Sequence, residues 1–419
     1  VAGRLVAILR CRPGEGAALA LSFAWFALLL ASYYMLRPLR DALGAGLGPG
    51  QIKYLSACVF VTMLLVVPVF GALVARVPRR HLVPGLYAFF VLDLLGFAAA
   101  FAVDPGSTVA ARVFYVWVTA YNLFVVSVFW SFMADVWREE QARRLFGVIA
   151  AGGSLGGLVG PVLTRALVGP LGVGGLAALS AACLALTLVA IVLLGRTVSR
   201  DAALAPARLD EPTGGAILAG LVDLARSPFL LGIAGLVALG SLLGMFVYVE
   251  IARLAAEQFH TAADRAAFYA GRDLAVNALA LVFQFAVVGR LAERFGVRAT
   301  LAATGLLAAL AFAGLGLDPV LGTLVVVNVV LRTLEFGVGK PARDMLYTVV
   351  EPGTKYKVKN VVDTAVYRAS DTASSWTHDL LADAGVGLGG FGWLGAAVAA
   401  TLAALGWAVG TGYRRRGGT

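Results

Sequence analysis

Apolar runs of about twenty residues, each long enough to cross a hydrocarbon layer, recur along the chain between short polar turns. Twelve can be set out: 17–38, 52–75, 82–103, 109–136, 145–168 and 173–195, then 228–252, 264–289, 297–317, 319–342, 359–384 and 388–411. A backbone facing lipid must satisfy its polar groups within its own segment, so runs of this length are helices. The shorter alternating segments of a membrane β-barrel are absent. Between the sixth and seventh runs, Arg196 to Ser227 is polar and contains Pro206, Pro212 and the pair Gly214-Gly215. The pattern predicts an N-terminal six-helix bundle over 1–195, a cytoplasmic linker over 196–227 and a C-terminal six-helix bundle over 228–419.

Composition agrees with this pattern. The chain is 60% hydrophobic and 14% charged, with a mean hydropathy of +0.86; soluble domains carry nearer ~25% charge. A net charge of +10 raises the question of nucleic acid. The placement of that charge answers it. The N-terminus, the turns at 76–81, 138–144, 196–226, 290–298 and 340–359, and the tail Arg414–Arg416 hold 24 of the 34 lysines and arginines. Positive turns stay on the cytoplasmic side, so both termini are expected there, in a bacterial cytoplasmic (inner) membrane. Arg4, Arg10 and Arg12 ahead of the first span are expected to form a short lead-in that stays inside, not a removed signal peptide. The turns around Gln141–Arg144 and Tyr356–Lys359 suit anionic lipid or an acidic substrate.

Catalytic and metal chemistry find little support. Cys11, Cys58 and Cys183 give neither a disulfide framework nor metal spacing, and His81, His260 and His378 are scattered along the chain. No nucleophile–histidine pairing or phosphate-binding loop is present, and Gly339-Lys340-Pro341 does not complete one. Neither an enzyme, a cofactor, a metal site nor nucleic-acid binding is expected.

What remains is charge inside the spans. An ionised side chain near the bilayer centre costs about 2.5–3.5 kcal/mol on insertion scales, so it should face protein or water. The first span carries Arg37, Arg40 and Asp41; the seventh and its end Glu250, Arg253 and Glu257; the eighth Arg272 and Asp273; the tenth Arg332 and Glu335; the eleventh Arg368 and Asp371. The sixth, ninth and twelfth have none in their interiors, and Asp93 stands apart in the third. Arg37/Arg40, Glu250/Arg253, Arg332/Glu335 and Arg368/Asp371 are i,i+3 pairs sharing a helix face. Six arginines balance six carboxylates, and each pair reads either as an internal salt bridge or as a substrate contact. Pro38 is expected to disrupt the first span beside Arg40.

Two loops give the chain its internal repeat. Gly289 to Arg298 reads GRLAERFGVR, and Gly71 to Arg80 reads GALVARVPRR, each after a second span of its half. The first loop resembles the signature loop of the major facilitator superfamily of transporters. The second resembles a worn copy, with Ala75 and Pro78 replacing the acidic residue and second glycine. The resemblance implies two pseudo-symmetric six-helix bundles and thus an all-α polytopic membrane protein of twelve transmembrane helices. It also implies that the first, fourth, seventh and tenth helices line a central cavity. Arg76, Arg80, Glu293 and Arg294 would brace the closed cytoplasmic side, more weakly where Ala75 lacks a carboxylate.

Gly147 to Pro161 places Gly152, Gly156 and Gly160 at every fourth position, a face suited to close helix packing. The same segment resembles the fifth-helix motif of proton-coupled exporters. Tyr34 to Leu43 (YMLRPLRDAL) is similar to the first-helix segment of bacterial and plastid ATP:ADP antiporters. In that family a basic residue at the Arg40 position serves transport of phosphorylated nucleotide. Arginine keeps the charge and adds a planar donor fork suited to phosphate.

These readings combine into a secondary active transporter working by alternating access. Its substrate would be a small organic anion, with nucleotides and other phosphorylated metabolites first. Tyr34, Arg37 and Arg40 are candidate substrate contacts, with Arg253, Arg272, Arg332 and Arg368. Asp41, Glu250, Glu257, Asp273, Glu335 and Asp371 are candidates for gating or for coupling to protons. The alternative is a proton-coupled exporter or importer of a drug-like, siderophore-like or other small organic molecule.

Overall fold

The computed structural model describes residues 12, 14–77, 79–200, 217–286 and 288–417. The described residues are predominantly helical and contain no strand. Four helices open the chain: α1 (Gly16–Gly46), α2 (Ile52–Arg76), α3 (Arg79–Val103) and α4 (Thr108–Val136). A helical stretch over Glu139–Arg200 follows and breaks at Gly172, whose φ of 65° lies where residues with a Cβ are strained. We call its two parts α5 and α6. The linker contributes a short helix, α7 (Ile217–Arg226); residues 201–216 lie outside the described residues.

The second half holds α8 (Pro228–Gln258), α9 (Ala262–Ala286) and α10 (Val288–Leu317). It continues through α11 (Leu321–Leu334), α12 (Lys340–Leu346), α13 (Pro352–Val361), α14 (Tyr367–Asp383) and α15 (Leu388–Arg415). A π-helical turn at Glu335–Gly339 joins α11 to α12, and another at Val362–Val366 joins α13 to α14. Within α10 the turn falls at Gly296, φ 73°, the second glycine of the signature loop. Of the bracing residues, the side chains of Arg80, Glu293 and Arg294, like that of Ala75, lie outside the described residues. Arg76 ends α2 and is exposed.

Ten helices among the described residues are long and apolar enough to span a membrane, one of them the 58-residue stretch that Gly172 divides. The segment expected as the eleventh span is not among them. Its helix α14 is rich in polar side chains, and it is the element on which much of the second unit's charge is organised. Large apolar side chains such as Leu92 and Leu310 stay about 70% exposed, as lipid-facing residues should.

The chain divides into two compact units. The first comprises 1–47, 65–214 and 259–274, and the second 48–64, 215–258 and 275–419, so the boundary cuts through α2 and α9.

In the first unit, α1 packs along α5. Four-residue spacing on one helix meets four-residue spacing on the other: a Cβ on Gly152 would lie 2.5 Å from the Phe23 carbonyl, and one on Gly160 2.8 Å from that of Ala31. Gly156 fits between them against Ala27 and Ala31. The glycine repeat is therefore a packing face, which lets two helix backbones meet. An aromatic core lies alongside, where Trp25 stands edge-on to Tyr87 and Phe129. Its indole N–H donates to the Tyr87 hydroxyl at 3.0 Å, which donates to the Val125 carbonyl at 3.1 Å, so the buried polar atoms are satisfied. Asp93 also finds its role in this unit, accepting from Trp117 Nε1 at 2.9 Å.

The second unit has its own core, built from Phe229, Ile233 and Val237 of α8 with Tyr347, Val358, Val361, Val409 and Tyr413.

At the start of α1, Glu15 is buried and accepts from Gln141 Nε2 at 3.0 Å and Arg144 Nη2 at 2.8 Å. The sequence offered the 141–144 turn to lipid or substrate; two of its side chains instead hold Glu15. Burial alone would push this carboxyl up, but the Arg12 backbone N–H, Arg144 and Gln141 outweigh it and hold it below the ordinary carboxylate range. A lowered folded-state value means stability that is present above the ordinary carboxylate value, about 4.3, and is lost as pH falls below it through the lowered one. Thermal unfolding followed from pH 7 to about pH 2 should show this loss, and E15Q should flatten that part of the profile.

Candidate functional site: two buried ionic clusters

The first cluster lies wholly in the first unit, where α1 meets the start of α9. Asp41 is 1% exposed and is held on both oxygens: Oδ1 by Arg40 Nη2 at 2.7 Å, Oδ2 by Arg272 Nη2 at 2.8 Å. Arg272 also reaches Asp273 Oδ1 at 2.8 Å, and Arg37 Nε stands 3.4 Å from Asp273 Oδ2. Each guanidinium lies near a tyrosine ring: Arg37 by Tyr34 at 5.8 Å, Arg40 by Tyr115 at 5.3 Å and Arg272 by Tyr269 at 4.7 Å. Cation–π attraction of this kind strengthens where water is excluded. Arg265 closes the end of α1 by donating to the Ala42 carbonyl at 3.1 Å.

This geometry revises two expectations. Pro38 sits inside a continuous helix and does not break it. A proline removes one N–H from the helix interior, and the packing along α5 keeps the backbone in register. The balance of six arginines and six carboxylates also fails to hold locally. Among the described residues, this cluster brings three guanidinium groups to two carboxylates. Arg272 and Asp273 are almost fully buried, whereas the side chains of Arg37 and Arg40 keep 12% and 15% exposure. Arg37 and Arg40 are thus the less buried guanidinium groups of the cluster, and Arg272 lies deeper, between Asp41 and Asp273.

The second unit carries the remaining candidates. Glu250 and Glu257 both hold Arg253, at 2.8 and 2.9 Å. Arg368 pairs with Asp371 at 3.5 Å, and Asp371 also accepts from Ser241 at 2.6 Å. The expected Arg332/Glu335 pair is replaced. Glu335 bonds to Arg343 at 3.1 Å, while Arg332 lies by the Phe336 ring at 6.0 Å. The π-helical turn that begins at Glu335 adds a residue, so Arg343, beyond the turn, comes onto the face of Glu335 and takes its carboxylate. Arg332, Glu335 and Asn328 line a small cavity with Gly240 and Gly244 of α8.

His378 is the residue that sequence reasoning missed. Far from being scattered, it is 3% exposed and its Nε2 lies 2.9 Å from Glu250 Oε1. Lys53, also unremarked, reaches Asp379 Oδ2 at 3.0 Å with Tyr54 and Trp376 around it. The signal was available: Arg368, Asp371, Ser375 and His378 recur at spacings that share one helix face. Among the described residues, no group of three or more His, Cys, Asp or Glu could hold a metal ion.

Comparison with known proteins follows from this architecture. The model of the Major Facilitator Superfamily matches residues 16–340. No curated relative matches the sequence. Among solved structures, "the POT family transporter PepTSo" superposes with a TM-score of 0.64 at 13% identity, covering 95% of this chain and 98% of that one. A POT family transporter "in complex with 5-aminolevulinic acid" gives a TM-score of 0.67 at 12% identity, covering 94% and 96%. The nucleoside transporter NupG gives 0.60 at 14% identity, covering 97% and 100%. At such identities the likeness is one of fold. The family match is broader evidence, since it runs through both signature loops and most of the chain. An integral, multi-pass, all-α membrane protein with this match belongs to the Major Facilitator Superfamily and is a transporter of small molecules rather than an enzyme.

Proposed function

We propose that the protein carries a small organic anion by alternating access, with phosphorylated nucleotides as the leading substrate class. The observation that carries this reading is the Arg37–Arg40–Arg272 cluster, in which, among the described residues, three guanidinium groups stand against two carboxylates, with Arg37 and Arg40 at its less buried edge. A phosphate offers several acceptor oxygens to such forks, and bidentate pairing makes these bonds strong and specific. Tyr34 and Tyr115, beside Arg37 and Arg40, supply aromatic faces of the kind on which a base can stack.

On this reading Arg37 and Arg40 make the first anion contacts, with Tyr34 beside them. Arg272 holds Asp41 and Asp273 in place behind them. Within the second unit, Arg253, Arg332 and Arg368 are further candidates for contact with an anion. Glu257, Glu335 and Asp371 act in gating and Glu250 in coupling to protons. The halves 1–195 and 228–419 move against one another about the 196–227 linker. Arg76 and Arg80, with Glu293 and Arg294, brace the closed cytoplasmic side. Both termini face the cytoplasm of a bacterial inner membrane, and exchange of one anion for another is the expected mode. The exporter alternative loses its main support, because Gly152, Gly156 and Gly160 are engaged in packing against α1.

A thermal-shift series on the purified protein tests the substrate class. ATP, ADP and AMP are expected to raise the unfolding temperature while adenosine does not. A ligand at a hundred times its Kd stabilises by about 2.7 kcal/mol. In R40Q the nucleotide response should weaken about ten- to hundredfold in concentration, as loss of a bond to a charged group implies. A response to adenosine equal to that of ATP, or a response in R40Q equal to wild type, would overturn the proposal.

A further inference from the structure

Six side chains of the second unit form one connected line from α8 through α14 to the start of α2. Glu257 and Glu250 share Arg253; Glu250 Oε1 faces His378 Nε2 at 2.9 Å; His378 Nδ1 faces Asp379 Oδ1 at 3.5 Å; Asp379 Oδ2 meets Lys53 at 3.0 Å. Exposure is least in the middle. The side chain of Glu257 is 56% exposed and that of Arg253 35%, whereas Glu250 and His378 keep 4% and 3%. Beyond them Asp379 and Lys53 open again to 15% and 19%. Asp383, the other charged group close to Lys53, is exposed. Phe391 stacks on one face of the imidazole at 4.3 Å, and Phe246, itself 5.3 Å from Phe391, stands edge-on to the imidazole at 6.0 Å, so apolar surface covers that face.

The ring's two nitrogens both point at carboxylate oxygens. A neutral imidazole has one N–H and one lone pair, and only imidazolium has two donors. With both carboxylates ionised, a neutral ring would set its lone pair against a negative oxygen. One additional proton removes that conflict. It also leaves the six groups at zero net charge, whereas without it the line carries one negative charge at its most buried point. Arg253 and Lys53 hold the outer oxygens of the two carboxylates, so the inner oxygens remain committed to the ring.

We infer that Glu250, His378 and Asp379 form a proton-binding site, with the imidazolium as its loaded state. Unloading breaks one N–H bond, leaves the electron pair on the ring nitrogen and passes the proton to water. One of the two ring–carboxylate bonds is lost with it, and α14 is thereby loosened either from α8 or around Asp379. The use of this proton to drive transport rests on the reading above; its binding here does not, so the two can fail separately.

Nitrogen NMR of the ring in purified protein tests the site. The H81Q/H260Q variant leaves His378 as the sole histidine, and neither replaced residue takes part in the line. Both ring nitrogens are expected to be protonated at the acid end of a pH series and one to lose its proton toward the alkaline end. E250Q should lower the ring's proton affinity about tenfold or more, because an opposite charge within hydrogen-bond reach favours the charged form. Should E250Q fail to fold, D379N provides the same comparison. A ring that stays neutral throughout, or stays imidazolium throughout, or titrates identically in the variants, would overturn the site. Failure of ATP to bind leaves this result unaffected.

Discussion

Replacing Asp41 by alanine is expected to destabilise the protein by about 3–5 kcal/mol, the cost of stripping one partner from a buried ion pair. Asp41 receives Arg40 on one oxygen and Arg272 on the other at 2.7 and 2.8 Å, with a side chain 1% exposed. Alanine would leave Arg272 almost fully buried with Asp273 as its remaining carboxylate. The effect should be smaller in R40A, since Arg40 is less buried than Arg272 and its removal leaves Asp41 still paired with Arg272. Exchanging Asp41 and Arg272 together for apolar residues should recover part of the loss, because removing both charges avoids stranding either. Thermal unfolding in detergent compares the three variants. Equal unfolding temperatures for wild type and D41A would contradict the burial argument.

The second large effect is expected at Gly156. An alanine there would drive its Cβ onto the Ala27 carbonyl and to 2.7 Å from the Ala31 backbone nitrogen. Both contacts are to backbone of α1, which cannot swing aside as a side chain can. Overpacking of this kind costs about 1–3 kcal/mol, and a leucine should exceed that range. Gly147 provides the control on the same helix, because a Cβ there meets nothing within 4 Å. G147A should be neutral or stabilising by about 0.5–1 kcal/mol through helix propensity. Folded yield and unfolding temperature of G156A, G156L and G147A decide the matter, and an unperturbed G156L would show that the interface is looser than described.

The helices were legible because lipid imposes their length and composition, and the family because two ten-residue loops repeat. The locations of buried charge were legible too, since an ionised residue inside an apolar run stands out. Partnerships across helices were not. Arg272 bonds to Asp41 across 231 residues of sequence, a distance that helix periodicity cannot bridge. Arg332 and Glu335 share a face as the spacing predicts, since both line one cavity, but the π-helical turn after Glu335 brings Arg343 to its carboxylate, which the sequence did not reveal. His378 was passed over because histidines were compared with one another instead of with the charged face of their own helix. Pro38 misled because a proline's local preference yields to packing over a 31-residue helix.

The account as a whole stands on the positive cluster beneath α1 serving as the anion site of a carrier, and counterflow measures that most directly. Proteoliposomes loaded with unlabelled ATP should accumulate labelled ATP transiently, and R37Q and R40Q should each reduce the initial rate about tenfold or more. Wild-type vesicles that exchange no phosphorylated compound, while an uncharged or cationic solute counterflows in the same preparation, would contradict it.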